Sequence, residues 1–207
     1  MGDIRPGQIL TGCTDGRWST TEAIRAMLAK TGTPANVSIT TWRVGPADAE
    51  HLVILRRAGL IGRLRLVLDR SVHGLDRTDL RRGAKPIFHR VAAVVGVENL
   101  RVWNGHAKIV VVAGPDMLIT HLPSANLNRA QRAETYVTFG EPVAESPVHD
   151  LYAGIFRDLF AEELPVEFTR DTPSLNRGTA ALTNRVLGNP LAQRDQSEPE
   201  HRSAWLS

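Results

Sequence analysis

The chain reads as an α/β protein with a mixed sheet flanked by helices. Two observations predict this. Strand-like and helix-like segments alternate over roughly the first hundred residues. A tighter β-rich stretch then follows, between Leu100 and Phe139, and a helical pattern with Leu159 and Phe160 comes after it. Hydrophobic residues at 42% and charged residues at 23% of 207 are ordinary for a globular protein that buries one core.

The elements follow in order. Ile9–Gly12 is a short strand. Ser19-Thr20-Thr21-Glu22 has the pattern of a capping box, and Ile24, Met27 and Leu28 carry helical spacing up to Thr31, with Gly32 and Pro34 as stops. Val37–Trp42 is rich in β-formers. Pro46 opens a second helix that Gly59 ends. Arg63–Asp69 begins as an alternating strand and finishes apolar. Ser71–Pro86 is a polar loop, Ile87–Val95 a third helix and Leu100–Trp103 a short strand. His106–Val112 is an apolar strand carrying two polar residues, and Met117–His121 runs back after a Gly-Pro-Asp turn. Leu122–Arg132 is irregular, Thr135–Phe139 is a strand, and Ser146-Pro147 caps a last helix with Val148, Leu151, Ile155, Leu159 and Phe160 on one face. Residues 1–167 form the domain. Residues 168–207, polar and rich in proline and glycine, form a flexible tail in which 180–187 could be helical and Trp205 could dock on a partner.

Composition bounds the function. One cysteine, Cys13, excludes an internal disulfide and a cysteine-rich zinc site, and it reads as a small core or turn residue. No apolar run is long enough to span a bilayer, and the opening MGDIRPGQIL lacks the apolar stretch of a secretion signal. A cytoplasmic protein without membrane contact is the expectation. The net charge of +3 does not by itself imply nucleic-acid binding. The 22 arginines against three lysines suit bidentate phosphate contacts, and equally an arginine-biased coding sequence.

The chemistry lies between Asn104 and Val137. His106 and Lys108, two apart on a strand, point to one face. Ser124 and Asn126 repeat that spacing just after the next strand, and Glu134 opens a third. An imidazole can attack phosphorus, lysine, asparagine and serine can hold its oxygens, and a carboxylate can fix the imidazole tautomer. A buried histidine beside a salt-bridged lysine is the plain alternative.

This stretch resembles the signature of the phospholipase D superfamily, H-x-K-x4-D-x6-G-S-x-N with a downstream glutamate. His106 and Lys108 match the first pair, Ser124 and Asn126 the second, and Glu134 the acid. The family aspartate falls at Ala113, and Asp116 is either that aspartate displaced or a turn residue. Pro123 replaces the usual glycine.

The resemblance implies a phospholipase-D-like α/β sandwich. It also implies a phosphodiesterase, specifically a nuclease that cleaves DNA or RNA through a phosphohistidine, with no metal or other cofactor. Active members use two histidines. Only His106 is followed two places on by lysine, so a homodimer pairing two copies of His106 is implied. The alternative is a weak or inactive nucleic-acid-binding or interaction module that keeps the fold. His121 either supports the site or is structural. Arg77, Arg81, Arg82 and Lys85 either track a nucleic-acid backbone or are a solvated loop. Trp42 and Trp103 read as core or rim residues, with base stacking as the other option.

Overall fold

A computed structural model describes residues 2–70, 87–127 and 133–162. The chain forms β1 (Gln8–Cys13), α1 (Thr20–Thr31), β2 (Ala35–Thr41), α2 (Pro46–Arg57), β3 (Ile61–Asp69), α3 (Ile87–Val95), a 3-10 turn (Val97–Asn99), β4 (Leu100–Trp103), β5 (Ile109–Ala113), β6 (Leu118–Pro123), β7 (Thr135–Glu141) and α4 (Pro147–Ala161). The expected loop from Ser71, the basic residues Arg77, Arg81, Arg82 and Lys85, and the expected tail with Trp205 lie outside the described residues.

The local signals act as the sequence predicts. The Ser19 hydroxyl accepts from Glu22 N at 3.2 Å and the Glu22 carboxylate accepts from Ser19 N at 2.7 Å, closing the capping box of α1. Pro46 stands in the first turn of α2, where its missing N–H costs nothing. Gly59, at φ +75°, lets the chain leave α2 for β3 in a conformation that a side chain resists.

Among the described residues one mixed sheet holds seven strands in the order β1-β7-β6-β5-β2-β3-β4. β2, β3 and β4 run parallel to one another, and every other pairing is antiparallel. Helices cover both faces. Ile24 and Met27 of α1, Leu52 of α2 and Phe88 and Val91 of α3 pack with Val37, Ile39, Leu66 and Val110 on one face. On the other, Phe156 of α4 packs against Val67, Ile109 and Val111. Strand alternation thus sends the odd and even residues of β5 into two separate cores. No helix among the described residues is long and apolar enough to cross a membrane.

Several expectations change. β5 begins at Ile109, so His106 and Lys108 precede the strand and do not lie on it. The reason is Thr40: its hydroxyl donates to Ala107 O at 2.8 Å and accepts from Ile109 N at 3.1 Å, taking the backbone bonds that a continued ladder would use. In α4, Leu151 points outward at 65% exposure, while His149, Gly154 and Phe156 are buried. Ser146 makes no side-chain cap; Glu141 caps instead, accepting from Val148 N at 2.9 Å and His149 N at 2.6 Å. Cys13 is exposed at the end of edge strand β1, and is no core residue.

Candidate active site

The topology gathers chemistry at one end of the sheet. The strand directions put the carboxyl ends of β1, β2, β3, β4 and β6 beside the amino ends of β5 and β7. At the middle of this end the pairing changes from parallel, β3 to β2, to antiparallel, β2 to β5. Open α/β sheets bind ligands outside the carboxyl ends of their strands. His106, Lys108, Ser124, Asn126 and Glu134 all stand at this end.

Asp69, the last residue of β3, is 4% exposed and lies in register with Trp103. Its Oδ2 accepts from Gly105 N at 3.2 Å, which fixes the link between β4 and β5. The same oxygen is 3.9 Å from His106 Nε2, beyond hydrogen-bond length but within electrostatic reach. Trp42 follows β2 and stacks on the imidazole, with ring centroids 5.0 Å apart and planes 20° from parallel. Arg43 places its guanidinium 4.6 Å from the centre of the Trp42 ring. His106 itself is 68% exposed, so its other edge faces outward. Lys108 is half-buried.

The second cluster joins β6, β7 and β1. The Ser124 hydroxyl donates to the Glu134 carboxylate and accepts from Thr135 N at 3.0 Å. Ser124 N also donates to Thr135 O at 2.8 Å, so the β6–β7 ladder continues into the site. Thr14, beyond β1, accepts Glu134 N on its hydroxyl at 3.1 Å, and Thr14 N donates to Glu134 O at 2.8 Å.

Asn126 is held through its backbone, whose oxygen accepts from Thr20 at the start of α1. Leu127 N donates to Thr41 Oγ1 at 2.9 Å, which ties the same loop to β2. Asn126 Oδ1 is buried with no hydrogen-bond partner among the described residues.

The five residues therefore share one end of the sheet, and three of them fall in two separate groups. His106 belongs with Asp69 and Trp42, and Ser124 belongs with Glu134; no hydrogen bond or ion pair among the described residues links the two. Asp116 is not with them. It lies in the β5–β6 turn at the opposite end, where its N–H donates to Thr31 O at 3.0 Å. His121 is fully buried beside the rings of Trp18 and Tyr136, and its Nδ1 meets Thr138 Oγ1 at 2.7 Å. Burial pushes its imidazole down to about 4, which favours the neutral form.

Asp69 and Thr14 were not legible as site residues. Asp69 reads from sequence only as the polar stop of an apolar strand, and Thr14 as a residue after one. Among the described residues no three His, Cys, Asp or Glu side chains gather as metal ligands. The chain matches no protein-family model, and no curated protein matches it.

Proposed function

We propose that this chain is a phospholipase-D-like phosphodiesterase that hydrolyses DNA or RNA strands, with His106 as nucleophile and the site completed by a second copy. The observation that carries the reading is His106 itself. It is an exposed imidazole seated between a buried carboxylate and an indole, two residues before Lys108, at the same sheet end as Ser124, Asn126 and Glu134.

A proton on the nitrogen nearer Asp69 leaves the other nitrogen with its lone pair. That nitrogen attacks phosphorus. A P–N bond forms, the P–O bond to the leaving oxygen breaks, and that oxygen takes a proton from the imidazolium of the partner subunit's His106. The partner's His106, now neutral, takes a proton from water, whose oxygen attacks phosphorus. The P–N bond then breaks and His106 is restored. Lys108 and the Asn126 amide hold the non-bridging oxygens as charge builds on them. Every proton in this scheme is carried by imidazole, so the reaction proceeds in EDTA.

His106→Ala is expected to lower hydrolysis of bis(p-nitrophenyl) phosphate by about a thousandfold or more, with oligonucleotide binding kept. Cleavage that requires added magnesium and survives the substitution overturns the proposal. A second reading, a module that binds nucleic acid without turnover, draws on the engagement of Glu134 with Ser124 and not with His106. Salt-dependent DNA binding with no hydrolysis by the unaltered chain selects it.

A further inference from the structure

A second cluster of polar groups lies along the β3–β4 edge, away from the residues assigned above. Arg63 and Arg65 alternate with buried residues on β3, and Arg101 of β4 stands in register with Val67. Arg65 and Arg101 therefore leave the same face of the sheet, the face that α4 covers, and Arg63 stands next to Arg65 where β3 shifts register against β2. Phe160, near the end of α4, gathers two of them: its ring centre lies 5.1 Å from the Arg65 guanidinium and 4.6 Å from that of Arg101. Arg101 is further pinned by bonds from Nε to Glu162 O at 2.9 Å and from Nη1 to Leu100 O at 2.7 Å.

The cluster is of one sign. Some arginines pair locally, Arg5 with Asp3 at 3.1 Å, Arg17 with Asp15 at 3.3 Å and Arg157 with Asp158 at 3.7 Å. Arg63, Arg65 and Arg101 have no carboxylate within ion-pair reach among the described residues. A surface built for solubility alone intersperses the two signs. Here burial, and then the charges of Arg63 and Arg101, pull Arg65 below the ordinary arginine range, so the cluster is held against its own repulsion. An anion with several charges relieves that repulsion.

We propose that Arg63, Arg65 and Arg101 form a track for consecutive phosphates of a nucleic-acid strand. Residues two apart on a strand are about 6.7 Å apart, close to the step between neighbouring phosphates of an extended single strand. Stacking on Phe160 pre-sets the Arg65 and Arg101 guanidinium planes, and Arg101, which also donates to the carbonyls of Leu100, Phe160 and Glu162, keeps two of its five N–H groups for phosphate oxygens. A lipid surface is a poorer occupant. Among the described residues the exposed large apolar side chains, Ile9, Val143 and Leu151, belong to β1, the β7–α4 link and the start of α4, so nothing apolar at this edge adds insertion to the charge.

The track deepens the proposed nuclease function, and its test is separable from it. Fluorescence anisotropy of a labelled oligothymidylate of about 20 nucleotides is measured between 50 and 200 mM salt, roughly, on the full chain carrying His106→Ala so that nothing is cleaved. Replacing all three arginines by glutamine is expected to weaken binding at low salt by at least about tenfold and to reduce the log–log salt slope by about 2. Lysine at the three positions restores the slope, and Arg5→Gln leaves it unchanged. Arg63→Gln alone, at an exposed position, lowers the slope by about 0.7 and serves if circular dichroism shows the triple variant unfolded. An unchanged slope in these variants, or no binding by the parent, overturns the track. Capture by phosphatidylglycerol vesicles that needs the same arginines, without oligonucleotide binding, also overturns it. Hydrolysis of bis(p-nitrophenyl) phosphate by the unaltered chain reports separately on the His106 chemistry, since that substrate carries a single phosphate.

Discussion

Asp69 holds the backbone of Gly105 with the same oxygen that faces His106, so one buried carboxylate sets both the loop and the charge beside the imidazole. Asp69→Asn keeps an acceptor for Gly105 N–H and removes the charge. Hydrolysis is expected to fall by about ten- to a hundredfold with the melting temperature little changed; full activity in this variant removes Asp69 from the site. The local pairs His106/Lys108 and Ser124/Asn126 were legible because each spans two residues. Asp69 was not, because 36 residues separate it from Gly105 and only the parallel pairing of β3 with β4 brings them together. His121 carries a different prediction. Its imidazole is lowered from 6.5 to about 4 by burial, so between these values the unfolded chain binds a proton that the folded chain refuses. Its contribution is complete above the unfolded value and is lost as pH falls toward 4, by about 3 kcal/mol. Denaturant unfolding at pH 7 and pH 4.5 checks it: His121→Gln should flatten the difference, and an equal loss in both proteins refutes the assignment.

At the scale of the element, helix starts were readable where the signal lies in adjacent residues. The capping box at Ser19 and the proline of α2 are of this kind. The start of α4 was not, because its cap comes from the preceding strand. Glu141 ends β7 and is 8% exposed, and its two oxygens take the N–H groups of Val148 and His149. The carboxylate also opposes the positive end of the helix. Glu141→Ala leaves two buried donors bare and is expected to cost about 2–4 kcal/mol in urea unfolding; a loss under half a kilocalorie or so shows that water replaces it. The early end of β5 was unreadable for a similar reason. Ala107-Lys108 has strand-like neighbours, but Thr40 interrupts the ladder from across the sheet. Leu151 shows the limit of periodicity. Five apolar residues fit one stripe of α4, yet the helix turns His149 and Phe156 inward and leaves Leu151 in solvent.

Across the whole molecule, alternating strands and helices followed by a β-rich stretch gave the α/β class, while the strand order came only from the structure. Nothing local in Gln8–Cys13 says that β1 pairs with β7. The proposed dimer belongs to this scale. If one catalytic unit needs His106 from both copies, equal amounts of wild type and His106→Ala, allowed to exchange, leave about a quarter of the dimers intact. Activity per total protein should fall to about 25% of the undiluted value. A fall to about half means that each copy works alone.

The bond between Thr14 and Glu134 closes over 120 residues of chain. Loops of that length close late, after local contacts have formed. In the sheet β1 pairs with β7 alone, so the corner that carries Glu134 cannot close until β7 has been made. Weakening that corner, as in Thr14→Val, should therefore leave the refolding rate nearly unchanged and speed unfolding. The half of the site that binds Ser124 to Glu134 is governed by how long the folded state lasts, and the half built on β2 and β3 by how readily it forms.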